Sequence, residues 1–210
     1  MKGSSHAIVG GVVGGVVSLG VGNDPISVGT GTLVAAGTVA GLVPDLDTNG
    51  KLSGKLTISY KVIKSAMMIV GILLSLYSLI NGDMLEKVLG FVVGLGIAVF
   101  ANKYITQRKM LLITGIGVII GGFVLSTLWI VLMGIYIALA SVMGHRTYTH
   151  SLIGLIYFGY ISYLVSVDFS QVEGLFMALV LGYISHLVCD FKVFNKQGVK
   201  LLRPFVNVEI

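Results

Sequence analysis

Seven long apolar blocks separated by short polar segments take up most of this chain, and they leave it few ways to fold. They run approximately over residues 6–21, 26–43, 62–80, 85–101, 110–143, 152–167 and 174–189. Several approach the roughly 20 residues that a helix needs to cross a bilayer. Backbone placed in hydrocarbon must satisfy its own hydrogen bonds, and a helix does so within one segment. With 55% of its residues hydrophobic and 11% charged, the chain cannot cover its apolar surface as a soluble domain. The expected fold is an all-α, polytopic membrane helix bundle.

The block at 110–143 sets the topology. Its 34 residues would make a helix of about 50 Å, against a hydrocarbon core of about 30 Å. A short hairpin of two spans is expected instead, with its turn near Gly121 and Gly122, giving about eight spans in all. Charge supports this division, because Lys and Arg near span ends favour the cytoplasmic side. With a cytoplasmic N-terminus, Lys2, Lys51, Lys55, Lys61, Lys64, Lys103, Arg108, Lys109, Arg146, Lys192, Lys196, Lys200 and Arg203 all fall inside. Only Lys87 falls outside, with Asp24, Asp83, Glu86, Asp168 and Glu173. Seven spans would put Arg146 and the basic tail on the opposite face. Residues 1–210 therefore read as a single integral-membrane domain, multi-pass with both termini cytoplasmic, a cytoplasmic loop at 44–61 and a cytoplasmic basic tail at 192–210.

The net charge of +5 belongs to this topology and does not indicate a nucleic-acid partner. The first apolar run reads as a retained span, since no small-x-small cleavage site follows it and removal would discard His6. The single cysteine, Cys189, excludes an internal disulfide and a multi-cysteine zinc site. Gly10, Gly14 and Gly11, Gly15 recur at four-residue spacing, which lets membrane helices approach closely; homo-oligomerisation through such faces stays open. Gly29-x-Gly31 and Gly115-x-Gly117 are not nucleotide motifs, for no strand precedes them and no Lys-Ser/Thr follows.

The same topology carries the rare polar residues to one membrane face. His6 opens the first span, Pro44-Asp45-Leu46-Asp47 closes the second, His145-Arg146-Thr147-Tyr148-Thr149-His150-Ser151 joins the sixth to the seventh, and His186 and Asp190 close the eighth. His186 and Asp190, four apart, share a helix face and can converge on one ion. An Asp-x-Asp turn after a proline can offer two carboxylates to hard cations. Ionisable groups near hydrocarbon are costly unless hydrated, paired or coordinated. An isolated interfacial histidine is a common hydrogen-bonding residue; all four histidines and three aspartates at one face make a metal site.

The candidate ligands are His6, Asp45, Asp47, His145, His150, His186 and Asp190. A His/Asp set without cysteine suits a divalent metal, zinc first and manganese or iron as alternatives. Seven ligands exceed the needs of one ion, so one or two are expected. Metal-activated water would be the nucleophile for phosphoester cleavage. Asp45, Asp47 and His150 are the candidate catalytic groups, with Arg146 binding a phosphate oxygen. Ser151 is expected to cap the following helix, not to act as a nucleophile.

These elements in this order, followed by Gly198-Val199-Lys200-Leu201-Leu202-Arg203-Pro204-Phe205, resemble the YdjM-type, LexA-regulated, membrane-bound predicted metal-dependent hydrolases, a domain-of-unknown-function family. The resemblance covers nearly the whole chain, and His145-Arg146-x-x-x-His150-Ser151 is its most specific part. It implies a bacterial inner-membrane hydrolase with His and Asp ligands, and it is similar, more distantly, to the zinc-dependent phospholipases C.

The leading expectation is a membrane-bound hydrolase acting at the cytoplasmic leaflet on a phosphoester of a lipid or membrane-associated substrate. The alternatives are a transporter or ion pathway, which needs essential ionisable groups deep within spans, and a non-catalytic membrane adaptor using its basic segments.

Overall fold

A computed structural model describes residues 3–47, 59–81, 83–144, 147–191, 198 and 201. The described residues form eight α-helices: α1 (Gly3–Gly20), α2 (Val28–Ala40), α3 (Tyr60–Ile80), α4 (Met84–Tyr104), α5 (Gln107–Val124), α6 (Leu128–Val142), α7 (Leu152–Asp168) and α8 (Leu175–Cys189). A short 3-10 helix, Val43–Asp47, follows α2. No strand occurs among the described residues, and the membrane helix bundle read from the apolar blocks is the observed architecture. Four helices, α1, α3, α4 and α5, are long and apolar enough to cross a membrane by length and composition. The other four have 13 to 17 residues. Most of the 44–61 loop, most of the 192–210 tail, and Lys2, Lys51, Lys55, Lys192, Lys196, Lys200 and Arg203 lie outside the described residues.

The block at 110–143 is a hairpin, but its turn is not where the glycines suggested. The chain reverses at Leu125–Thr127: Ser126 N–H donates to the Phe123 carbonyl (3.1 Å) and Thr127 N–H to that of Gly122 (2.9 Å). Ser126 takes the left-handed conformation, φ 52°, that closes this kind of helix end. Gly122 lies within α5, where a Cβ would stand 2.6 Å from the backbone nitrogen of Val131 on α6. Gly122 marks the helix crossing, and the bend is one turn later.

Close backbone contact also joins α1, α2 and α8. A Cβ on Gly10 or on Gly14 of α1 would collide with the carbonyl of Gly37 or Leu33 on α2, and one on Gly182 of α8 would lie 2.7 Å from the Gly37 carbonyl. Three helices thus meet at one peptide group. Dispersion between backbones gives such contacts their energy where lipid removes the hydrophobic drive. In contrast, α3 and α4 pack mainly on each other through Gly71 and Gly94, and most of their other side chains are exposed.

The two ends of the bundle differ. At one, Val43, Leu46, Leu111, Tyr136, Ala140, Phe158, Tyr183 and Leu187 form a buried cluster. Among the described basic residues, Lys61 and Lys64 open α3, while Lys103, Arg108 and Lys109 flank the junction of α4 and α5. At the other end Ser18 and Thr30 hydroxyls pair at 2.8 Å, and Trp129 Nε1 donates to Asp168 Oδ2 at 2.8 Å. Lys87 sits in the capping turn of α4 with Asp83 and Glu86.

Gly14→Ala is expected to destabilise the bundle by about 1–3 kcal/mol, because nothing but backbone could give way. Gly31→Ala, whose Cβ would meet nothing within 4 Å, should stabilise α2 by roughly 0.5–1 kcal/mol. Thermal unfolding in detergent, followed by circular dichroism, compares the two; equal shifts would refute the contact.

Candidate metal centre

Four separate stretches of sequence arrive at the end of the bundle that holds the 3-10 helix. His6 lies one turn into α1. The chain leaves α2 at Gly41 and tightens into the 3-10 helix, which presents Asp45 and Asp47. His150 stands in the bend before α7. Ser151 ends that bend as the helix cap, its Oγ accepting from Gly154 N–H (3.4 Å) and donating to the Tyr148 carbonyl (2.7 Å), in the role its position suggested. The next orphan amide of α7, Leu152 N–H, donates to the carbonyl of Leu201 at 2.8 Å. His186 occupies the last turn of α8, and Asp190 is its C-cap.

Six of the seven expected ligands are brought together; His145, with Arg146, lies outside the described residues. His6, Asp47, His150, His186 and Asp190 are at most 2% exposed. His150 Nε2 and His186 Nε2 face each other at 3.1 Å. Asp45 Oδ1 is 3.7 Å from each of them, and Asp190 Oδ2 is 3.6 Å and 3.7 Å away. The second oxygen of Asp190 turns to His6, Oδ1 to Nε2 3.6 Å. The His6 ring stacks on His186 with centroids 3.9 Å apart.

Each of the two imidazoles is tied at its other nitrogen. His186 Nδ1 donates to the Gly41 carbonyl, which can only accept (2.7 Å), so in the neutral ring Nε2 is the acceptor. Thr149 Oγ1 is 2.6 Å from Asp47 Oδ2 and 3.0 Å from His150 Nδ1. Its single proton goes to the carboxylate, so its oxygen accepts from Nδ1–H. His150 Nε2 then faces His186 Nε2 and two carboxylate oxygens, a place that a proton on His150 or a cation can fill. For a tetrahedral ion with metal–nitrogen bonds of 2.0–2.1 Å, ligand atoms stand about 3.3–3.4 Å apart. The observed spacings bracket that value.

Two overlapping groups could hold an ion, Asp45/His150/His186 and His6/His186/Asp190, each with ligand atoms within 4.8 Å of one another. His6 Nδ1 is buried and has no hydrogen-bond partner among the described residues, as befits a histidine held for coordination and not for hydrogen bonding. Asp47 belongs to neither group: it stands behind the His150 ring, Oδ2 to Nδ1 3.6 Å. Its geometry is that of a carboxylate orienting a ligand from behind. Burial alone would lower the basicity of His150, but the carboxylates of Asp45 and Asp47 hold it above the ordinary imidazole value. Burial would likewise raise Asp45, yet His150, His186 and His6 hold its carboxyl below the usual range.

Residues that spacing did not single out complete the support. Tyr183 donates its hydroxyl to the Thr149 carbonyl, and Tyr136 then donates to Tyr183 (3.0 Å). Tyr183 precedes His186 by three residues, so α8 carries both a ligand and the anchor of the loop that presents His150. The available signal was a tyrosine within an apolar span, whose hydroxyl needs a partner there. The Gly41 carbonyl left no signal, because every residue has one.

No curated protein and no solved structure matches the chain. A family model described as YdjM inner membrane protein matches it over residues 1–210. With the bundle, the motif order and this match in agreement along the full length, the chain belongs to the YdjM inner membrane protein family.

Proposed function

We propose that this protein is a membrane-bound metal-dependent hydrolase that cleaves a phosphoester of a lipid or membrane-associated substrate at the cytoplasmic leaflet. Zinc is the first candidate, and manganese or iron fit the same donors. The observation that carries the reading is the pair of facing Nε2 atoms at 3.1 Å with Asp45 and Asp190 oxygens beside them, each imidazole being tied at its other nitrogen. A bound divalent ion supplies Lewis acidity, polarising a phosphoryl oxygen and lowering the pKa of water.

The chain's own residues divide the remaining work. His150 and His186 would hold the ion, each ring being fixed by the bond at its Nδ1. Asp45 has a side chain 19% exposed, while those of Asp47 and Asp190 are at most 2%. Asp45 is thus the carboxylate that an incoming water can reach and the one placed to accept that water's proton. Asp190 faces His6 with one oxygen and the histidine pair with the other, so it can link two ions or orient one. The charge rule, by which the end rich in Lys and Arg faces the cytoplasm, supports a site at the inner leaflet.

A transport route would need ionisable groups along the spans. Among the described residues, every buried histidine or carboxylate belongs to the cluster. This favours chemistry at one face over passage between two.

His150→Ala and His186→Ala are expected to remove bound metal and phosphoesterase activity together, with the helical circular dichroism spectrum kept. Elemental analysis and a substrate screen with chelator controls test this, and full metal content in both variants would refute it. Asp47→Ala should weaken metal affinity by roughly 10–100-fold without abolishing binding, as expected for an outer partner. Coordination needs unprotonated His150, whose pKa is raised in the metal-free protein. Metal affinity should therefore fall as pH drops through that raised value and recover above it; a pH-independent affinity would contradict the ligand role.

A further inference from the structure

His6 is the histidine of the cluster that no hydrogen bond holds. It is 1% exposed, yet among the described residues Nδ1 has no partner, and Nε2 stands 3.6 Å from Asp190 Oδ1, beyond hydrogen-bond reach. His150 and His186, in contrast, are each tied at Nδ1. Leaving a buried imidazole unpaired is costly. The 3.6 Å separation is, however, close to the roughly 3.3–3.4 Å between two ligand atoms on one tetrahedral ion.

That ion is not the one between His150 and His186. An imidazole nitrogen binds metal along a lone pair that lies in the ring plane, and His186, with Nδ1 bonded to the Gly41 carbonyl, has one such pair to give. The rings of His150 and His186 cross at 66° with their Nε2 atoms 3.1 Å apart, which lets both reach one position. The rings of His6 and His186 are instead stacked, centroids 3.9 Å and planes 24° apart. Planes so nearly parallel do not meet within a metal–nitrogen bond of about 2.0–2.1 Å. The two rings therefore do not hold the same ion in plane, although their nitrogens lie within 4.8 Å of each other. Asp190 reaches both positions: Oδ2 lies 3.6 Å from His150 Nε2 and 3.7 Å from His186 Nε2, while Oδ1 faces His6.

We infer that the cluster has a second, separate position for a divalent cation, formed by His6 and Asp190 Oδ1, with Asp190 spanning the two. The inference rests on the metal reading of the cluster and adds to it a count and a division of the ligands. Around the first position stand Asp45, His150, His186 and Asp190 Oδ2. The second has one imidazole and one carboxylate oxygen among the described residues. It is therefore the weaker of the two, and an ion there keeps most of its coordination for water and phosphoryl oxygens. Two linked ions suit a phosphoester, whose attacking and leaving oxygens both need stabilising.

The test uses the full-length protein in detergent, stripped of metal with a chelator and titrated with zinc by calorimetry. Wild type should take up two ions per chain in two steps. His6→Ala should take up one, and the affinity for that ion should fall by no more than about the tenfold that loss of an outer partner costs. A single ion in wild type, or two in His6→Ala, would overturn the second position. So would loss of every ion from a folded His6→Ala, which would make His6 a ligand of the first.

Manganese in the wild-type protein gives a readout that needs no variant. Two ions sharing a carboxylate, about 3.5–4 Å apart, should couple, so that the electron paramagnetic resonance spectrum changes from that of an isolated ion to that of a spin-coupled pair as the second position fills. An isolated-ion spectrum at saturation would overturn the assignment and leave the metal reading standing. Failure of the metal reading looks different: wild type then binds no ion in either experiment, and both conclusions fall together.

Discussion

Two imidazole nitrogens facing each other across 3.1 Å are the constraint around which the rest of this bundle is arranged. Neither ring is free to turn over. His186 is tied through Nδ1 to Gly41 and His150 through Nδ1 to Thr149. Each tie depends on a different helix junction, the end of α2 in one case and the start of α7 in the other. The arrangement could hold a cation with little rearrangement, because the fold itself keeps the donors in place.

The fold supplies it through backbone contact. Gly10, Gly37 and Gly182 allow α1, α2 and α8 to touch at a single peptide. That contact sets the spacing of His6, the 3-10 helix and His186, which hang from the same three helices. On the other side, the hydroxyl chain Tyr136–Tyr183–Thr149 fixes the loop of His150 to α8. Small residues and buried hydroxyls thus play the part that apolar side chains play in a soluble core.

Much of this was legible in the sequence. Hydrophobic block length gave eight helices, since a 34-residue apolar run cannot be one span. Charge bias drawn from Lys and Arg placed His6, Asp45, Asp47, His150, His186 and Asp190 at one end, and the structure brings those six together. The turn at Leu125–Thr127 was not legible, because glycine serves both for close packing and for turns, and here Gly122 serves the first. The separation of Asp47 from the ion-facing set was hidden too. A two-residue spacing says nothing about which carboxylate faces inward once the segment winds as a 3-10 helix.

The shortness of α2, α6 and α8 carries one more consequence. Helices of 13 to 15 residues reach about 20–22 Å, well below the roughly 30 Å thickness of the hydrocarbon layer. The bilayer accommodates such hydrophobic mismatch by thinning, at a fraction of a kcal/mol per ångström. Around α3 and α4, each 21 residues long, no such adjustment is required. A bilayer that surrounded the protein would therefore be asked to thin more beside α2, α6 and α8 than beside α3 and α4, so the short helices, not the long ones, set the local depth at which the ends of the bundle meet the headgroups.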